Sequence, residues 1–386
     1  MRDTTCSKWG EIILNSFKVS EHRVFKFIRA NPLVSRTQIA SKLRLSKVLV
    51  SQIVNRFVES GVVLEVAKGQ SSSRGGKKPV LLSFNCEYRY VIGVDVGGTK
   101  IKAILADLDG NILQQKNLPS KDIRSKKDFY VLLRESIGSL IDRRDRILGI
   151  GIGVPGTVDS ESGFVRYMPA FDLKDLDLKR DFERLVRLPV FVGNDVTLNA
   201  LGELWKGVAN GYKNFLMVSL GTGTGAGIVI NGELYEGSRG MAGEMGYTVT
   251  DWSREKMHDL SFGRLERWFS GYSFERFLRS FNKTVKEFFD LSDTNEEFSR
   301  VLDEACEHLA LAICNAICLL DPELVVIGGG IGYNQYERIT KRLLPVVERV
   351  VPNEILEHVE FKKAALADLG VCLGAVYLVQ KKIFVI

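Results

Sequence analysis

Cysteine is scarce in this chain, and its spacing suits no cysteine chemistry. Six occur in 386 residues, at Cys6, Cys86, Cys306, Cys314, Cys318 and Cys372, and none forms a Cys-x-x-Cys pair. That argues against a redox motif or a disulfide framework and for reduced thiols among apolar neighbours. Cys314 and Cys318 lie one helical turn apart, as half of a metal site would, but two small residues on a buried helix face explain them better. No apolar run approaches the ~18 residues of a membrane helix, so no membrane partner is expected. The opening MRDTTCSKWGEIILNSF lacks the basic start, clean apolar stretch and small-residue cleavage site of a secretory leader, and the expected location is the cytoplasm. Gly-x-x-x-x-Gly-Lys-Ser/Thr is absent, which excludes a Walker A loop, and no glycine fingerprint opens a helix as a Rossmann fold requires. What remains is an ordinary globular composition, 45% hydrophobic and 26% charged. At roughly 150 residues per domain, its length allows two or three domains.

The charge is unevenly placed. Residues 1–90 carry 16 Lys and Arg against 6 Asp and Glu, a net of +10. The whole chain is +6, which leaves −4 for the rest. A basic head on a mildly acidic body points the head at a polyanion. Within the head, Ser20–Ala30 shows an apolar stripe at helical spacing, ended by Asn31-Pro32. Ser35–Leu43 reads as a second helix, with Ser35 or Thr37 at its cap and Ile39, Ala40 and Leu43 facing inward. After a turn at Arg44-Leu45, Ser46 caps a third, with Val50, Ile53, Val54, Phe57 and Val58 as its inner stripe and Gly61 closing it. This is a helix-turn-helix pattern, whose second member enters the major groove of DNA. The expected DNA-binding set is Arg36, Ser46, Lys47, Ser51, Gln52, Asn55 and Arg56, because Gln and Asn pair with adenine and Lys, Arg and Ser suit phosphates or base edges. Two strand-like runs, VVLEVA and PVLLSFN, follow, joined by KGQSSSRGGKK. They predict a wing whose basic tip, with Arg74, Lys77 and Lys78, suits the minor groove. A solvated linker would explain the tip's charges alone, but not the helix-turn-helix directly upstream.

The body uses one motif twice. VIGVDVGGTKIKAILADLDG, from Val91, and FLMVSLGTGTGAGIVING, from Phe215, each run a strand into a tight Gly/Thr turn, return, and turn again at Asp109-Gly110 or Asn231-Gly232. Two sub-domains of similar design are expected, with a nucleotide-sized cleft between them. Glycine turns let successive N–H groups face an anion, and Thr99, Thr222 and Thr224 supply hydroxyls. GIGIGVPGTVD reads as a buried strand ending at a Pro-Gly loop that contains Gly156. LPVFVGNDVTLNALGELW reads as a strand ending at Asn194-Asp195 and turning into a helix. VVIGGGIG ends a strand in three glycines.

On these motifs the chain resembles, over nearly its whole length, the ROK family of bacterial sugar kinases and sugar-responsive repressors. The resemblance implies an α/β protein: an N-terminal winged helix-turn-helix on a two-lobed, actin-like, ribonuclease-H-like sugar-kinase body. It implies a head over 1–85 with wing and linker at 66–85, a first lobe over 86–200 completed by about 370–386, and a second lobe over 201–369. Asp95, Gly97, Gly98, Thr99 and Lys100 look like the first phosphate loop, and Gly221, Thr222, Gly223 and Thr224 like the second. Gly328, Gly329 and Gly330 look like the adenosine motif. Asn194 and Asp195 match the sugar-binding pair, Asp195 being the catalytic base in kinase members. Glu244 and Glu266 match further sugar ligands, and Gly156 and Tyr247 join that set. ATP-Mg²⁺ is the implied cofactor of a kinase site. One departure stands out. The family follows Gly-Glu-x-Gly with a His that holds zinc together with three Cys. Here Tyr247 stands in its place, and no Cys occurs between Cys86 and Cys306. A structural zinc needs four N or S ligands, which His258 alone cannot supply, so no structural zinc or other metal residue is expected.

Two functions compete. A sugar kinase of glucokinase or N-acetylhexosamine type would use Asp195 to accept the proton of the attacking hydroxyl. A sugar-responsive regulator, a repressor above all, would use the same cleft to sense a monosaccharide and would bind operator DNA as a homodimer or tetramer. Ninety residues carrying +10 favour the regulator. A merely structural DNA-binding protein leaves Asn194, Asp195, Glu244 and Glu266 unexplained.

Overall fold

Three short helices and a three-stranded sheet make up the head of the structure, a computed structural model that describes residues 18–68, 78–251 and 263–384. In order they are α1 (Val19–Ala30), β1 (Val34–Ser35), α2 (Arg36–Leu43), α3 (Lys47–Glu59), β2 (Val63–Lys68) and β3 (Val80–Phe84). The caps follow the sequence reading. The Ser35 hydroxyl accepts from the Gln38 N–H at 3.3 Å while the Gln38 side chain accepts from the Ser35 N–H at 2.8 Å, a reciprocal cap. Arg44 turns the chain in the left-handed region (φ 55°), and Ser46 caps α3 by accepting from the Leu49 N–H at 3.2 Å. Val24, Phe25, Ile28, Ile39, Ala40, Val50, Ile53, Val54 and Phe57 are buried together. Val58 and Leu43, expected inside, are only half-buried. β1, too short to show any periodicity, pairs with β3 beside β2. Of the expected wing tip, Arg74 and Lys77 lie outside the described residues, and Lys78 is exposed.

The body is built on two five-stranded sheets of one design, beside a smaller three-stranded antiparallel one. The first lobe's elements are β4 (Tyr90–Val96), β5 (Lys100–Asp107), β6 (Ile112–Pro119), α4 (Lys126–Gly138), β7 (Ile147–Val154), β8 (Thr157–Asp159), β9 (Phe164–Met168), β10 (Leu173–Leu176), α5 (Leu178–Val186), β11 (Val190–Asn194) and α6 (Asp195–Lys206). The second contains β12 (Phe215–Leu220), β13 (Thr224–Ile230), β14 (Glu233–Leu234), α7 (Gly271–Leu278), α8 (Val285–Leu291), α9 (Glu296–Leu320), β15 (Leu324–Gly328), α10 (Gly329–Asn334), α11 (Tyr336–Val350), α12 (Asn353–Leu356) and β16 (Glu360–Lys363), after which α13 (Gly370–Phe384) ends the described chain. The sheet orders are β11-β7-β4-β5-β6 and β14-β13-β12-β15-β16. In each, a three-stranded antiparallel meander continues into two parallel strands. This duplication is the actin-like, ribonuclease-H-like fold, and the two glycine turns occupy equivalent places in it. Among the described residues no helix is long and apolar enough to cross a membrane.

α13 returns from the second sheet to lie flat on the first. The glycines of GIGIGV alternate along one face of β7, and that period-two pattern is what admits a helix so close. A Cβ at Gly93 or Gly151 would collide with the carbonyl oxygens of Cys372 and Ala375 in α13. α6 packs lengthwise on α13 in the same way, with Gly202 against the Gly370 carbonyl and Gly374 against that of Leu198. At the far end the Trp205 ring stacks on Tyr377, centroids 5.2 Å apart. On its other side α6 meets the second sheet, where a Cβ on Gly225 would lie 3.2 Å from Val196. Of the cysteine pair on α9, Cys314 is buried but Cys318 is exposed, so the two do not share a buried face.

Candidate functional site

The outward face of α3 carries Lys47, Val48, Gln52, Asn55 and Arg56, all exposed, with Ser51 half-buried. Ser46 spends its hydroxyl on the cap. Arg36, at the start of α2, donates to the Asn55 side-chain oxygen at 3.0 Å and to Glu65 at 2.9 Å. It therefore orients Asn55, with its own charge balanced by Glu65. Arg56 is exposed and pairs with Glu21, a buried carboxylate of α1, because a charge so buried needs a partner.

The cleft between the lobes gathers carboxylates. Asp195 is the first residue of α6, and its Oδ1 accepts from the Val196 N–H at 3.0 Å. Burial, then the nearby Asp95, pushes its pKa up to about 7, with Glu244 adding to the effect. Asp95, at the end of β4, is pushed up to about 6 by burial, against the pull of Lys100 and Lys102. Glu244 is raised by burial and by Glu266, and Tyr247 by burial and by Glu266, Glu244 and Tyr167. The charges of Asp95 and Glu244 act on Asp195, and that of Glu266 acts on Glu244 and Tyr247, so these side chains lie within electrostatic reach of one another across the two lobes, with Glu244 and Tyr247 exposed. Four carboxylates there make a strong acceptor set for hydroxyl groups and repel anions.

Two expected sugar residues have structural duties first. Asn194 caps α6, its Oδ1 accepting from the N–H groups of Val196 (2.9 Å) and Thr197 (3.2 Å) while its Nδ2 donates to the Gly156 carbonyl at 3.1 Å. One N–H of that amide is left for a ligand. Gly156 is glycine because a Cβ would strike the Tyr167 carbonyl oxygen.

The phosphate-loop residues divide similarly. In the first turn the Gly97 N–H donates to the Lys100 carbonyl at 2.9 Å, and the Ser120 hydroxyl donates to the Gly97 carbonyl at 2.6 Å. Gly98 and Thr99 remain exposed. Lys100 and the buried Lys102 both pair with Asp368, just before α13, with Lys100 at 3.0 Å. In the second turn Gly221 and Thr222 accept from the N–H groups of Gly271 (2.8 Å) and Tyr272 (3.1 Å). The Thr222 side chain is exposed, but Thr224 departs from the expectation: its buried hydroxyl donates to the Phe269 carbonyl, and its N–H donates to Glu266 at 3.0 Å. Glu266 thus ties the carboxylate pocket to the second turn. The three glycines adjoin that turn, a Cβ on Gly221 falling 3.9 Å from the Gly330 nitrogen. Gly329 needs its positive φ (77°), since it lies against the Leu220 backbone, while the space over Gly330 is open.

Among the described residues no cluster of three His, Cys, Asp or Glu could hold a metal ion. His258 lies outside them. The loop after Tyr247 is held on α9 in part by ring stacking of Trp268 on His308 (4.1 Å) and a 2.9 Å hydrogen bond between His308 Nδ1 and the Thr250 hydroxyl.

The sequence reading missed what joins head to body. Arg29 of α1 donates to the Leu108 carbonyl at 3.2 Å and to the Gln380 side-chain oxygen on α13 at 2.8 Å, with Phe84 under its guanidinium at 5.2 Å. The head's apolar core continues without a break into Val91, Ile104, Leu108, Val376 and Val379. Partners 79 and 351 positions away leave no local signal at Arg29.

The comparisons with known proteins agree with this architecture. The ROK family profile matches residues 91–382. The xylose repressor of Caldicellulosiruptor bescii is 29% identical, covering 94% of this chain and 95% of its own length. The glucokinase of Halalkalibacterium halodurans is 32% identical, covering 76% of this chain and 96% of its own. The solved structure of a ROK family transcriptional regulator, a homolog of the E. coli MLC protein, superposes with a TM-score of 0.80 at 23% identity, over 94% of this chain and 95% of that one.

Proposed function

The chain belongs to the ROK family, and on that premise we propose that it is a sugar-responsive transcriptional repressor. Its head, read as 1–85, binds operator DNA, and the cleft between its lobes senses a neutral monosaccharide. The observation that carries this is extent: the repressor relative matches the chain end to end, whereas the kinase relative, itself almost fully matched, leaves about a quarter of this chain without a counterpart. The carboxylate pocket supports an uncharged, hydroxyl-rich effector over a sugar phosphate or sugar acid. Tyr247, bulkier than His, supports a small sugar, and the xylose repressors among the relatives make D-xylose the first to try. In this reading Asp195, Glu244 and Glu266 accept from sugar hydroxyls, and the spare N–H of Asn194 donates.

The coupling is a population shift. Sugar binds at the first turn of α6, α6 lies along α13, and α13 holds Arg29 of the head. Closing the cleft shifts this two-helix unit and with it the placement of two heads in a dimer, or in a tetramer of two dimers, relative to half-sites about one helical turn or a multiple of it apart. Occupancy of DNA then changes only as far as the sugar's affinities for the two arrangements differ.

A second reading, residual kinase activity, is favoured by one observation: Asp195 is held at a pKa near neutrality beside two open glycine turns. Gly97 to Thr99, Gly221 to Thr222 and Gly330 would hold ATP-Mg²⁺, which would supply the transferable phosphoryl group. A thermal-shift panel of neutral monosaccharides, sugar acids and sugar phosphates, each with and without ATP-Mg²⁺, tests both readings, followed by a coupled ADP assay on the hits. The expected result is stabilisation by a neutral pentose or hexose only, lost in Glu244→Gln, with ADP release slow or absent. Stabilisation by sugar phosphates alone, or brisk turnover, contradicts the repressor reading.

A further inference from the structure

The recognition helix presents one residue that does not fit a merely solvated or phosphate-binding face. Val48, at the second position of α3, is 69% exposed. A β-branched residue gains nothing there for the helix, since valine is a modest helix former and its apolar surface is left in water. It is flanked by exposed Lys47 and heads a stripe at positions 48, 52 and 55, all on one side of α3. The Gln52 side chain makes no hydrogen bond among the described residues, while Arg36 holds the Asn55 oxygen and so fixes which way that amide faces. The stripe thus reads, from the helix N-terminus, apolar, amide, amide. An inserted helix turns its N-terminal residues to base edges in the major groove. There, adenine offers the N7 acceptor and N6 donor that a Gln side chain can satisfy together. Thymine alone of the four bases offers a methyl group to an apolar side chain.

We propose that Val48 is a specificity-determining residue that packs on a thymine C5-methyl group, beside an adenine read by Gln52. The inference rests on the DNA-binding reading above and deepens it, because it names the base chemistry that the operator must contain. A contact of Val48 with the sugar-phosphate backbone instead would add affinity on every sequence and carry no methyl dependence. Burial of about one methyl group corresponds to roughly a fourfold change in affinity per half-site.

The test uses the full-length protein. A duplex is selected from a randomised library in the absence of sugar, and each of its thymines is then replaced in turn by uracil, which removes the methyl and keeps the pairing. One thymine per half-site should prove sensitive, with about fourfold weaker binding on replacement. In Val48→Ala, an exposed change that leaves the core intact, that sensitivity should vanish, the two duplexes binding alike. Gln52→Ala should keep the methyl sensitivity but lose preference at a neighbouring A·T pair. The inference is overturned if no thymine responds to the replacement, or if Val48→Ala keeps the full response. Failure of the wild-type chain to enrich any sequence overturns the DNA-binding reading itself and this inference with it.

Discussion

Asp195 concentrates the chemistry of the cleft in one carboxyl group. Its ordinary pKa is 3.8, and in the folded protein burial and Asp95 raise it to about 7. Below pH 4 the group is protonated in both folded and unfolded chains and contributes no pH dependence. Between pH 4 and 7 the folded state keeps a proton that the unfolded chain has lost, so stability falls as pH rises through that window and levels off above it. Asp195→Asn removes this liability. Without sugar, the variant should gain on the wild type from pH 5 to 8, by roughly 1–3 kcal/mol after allowing for solvent contact in the cleft. At about 2–4 °C per kcal/mol, that is several degrees of Tm. Parallel Tm curves for the two proteins across that range would remove the raised pKa from the account. Sequence made Asp195 legible, because a strand running into Asn-Asp and then a helix leaves few places for the pair to go. It did not make the role of Thr224 legible. A threonine in a glycine turn reads as ligand-facing, and only the fold shows the Phe269 carbonyl that claims its hydroxyl.

Among elements, α6 and α13 carry the argument. α6 starts at the proposed sugar site and near its end carries Trp205, stacked on Tyr377 of α13. α13 starts beside Asp368, which holds Lys100 and Lys102 under the first glycine turn, and reaches Gln380, which holds Arg29. Arg29→Ala removes two hydrogen bonds made by a charged group, each worth about 1.5–3 kcal/mol. It leaves both the stripe proposed to face DNA and the carboxylates untouched. The variant should bind sugar and operator near wild-type affinity, while sugar changes its operator affinity less than threefold. Fluorescence anisotropy with and without sugar reads this directly, and a full wild-type response would show that the signal takes another route. The caps and the two hairpins were legible because each rests on neighbours within a few residues: Ser35 with Gln38, Ser46 with Leu49, Asn231 with Gly232. The head-to-body join was not, since its partners are far apart in sequence. The alternating glycines of GIGIGV did mark a face approached by another element, but not which one.

At the scale of the molecule, charge and topology divide the work. In the proposed account the basic head supplies sequence-independent attraction to a duplex, and the mildly acidic body supplies the cleft. Neither explains the other unless the cleft's occupancy alters the head's grip. The most direct test is the affinity of the full-length protein for its selected operator at fixed salt, without sugar and with the stabilising monosaccharide at saturation. The account predicts a change of about tenfold or more, within the usual range of coupling between sites. An unchanged affinity at saturating sugar, together with rapid ATP consumption by the same sample, would contradict it and leave a kinase that happens to carry a DNA-binding head.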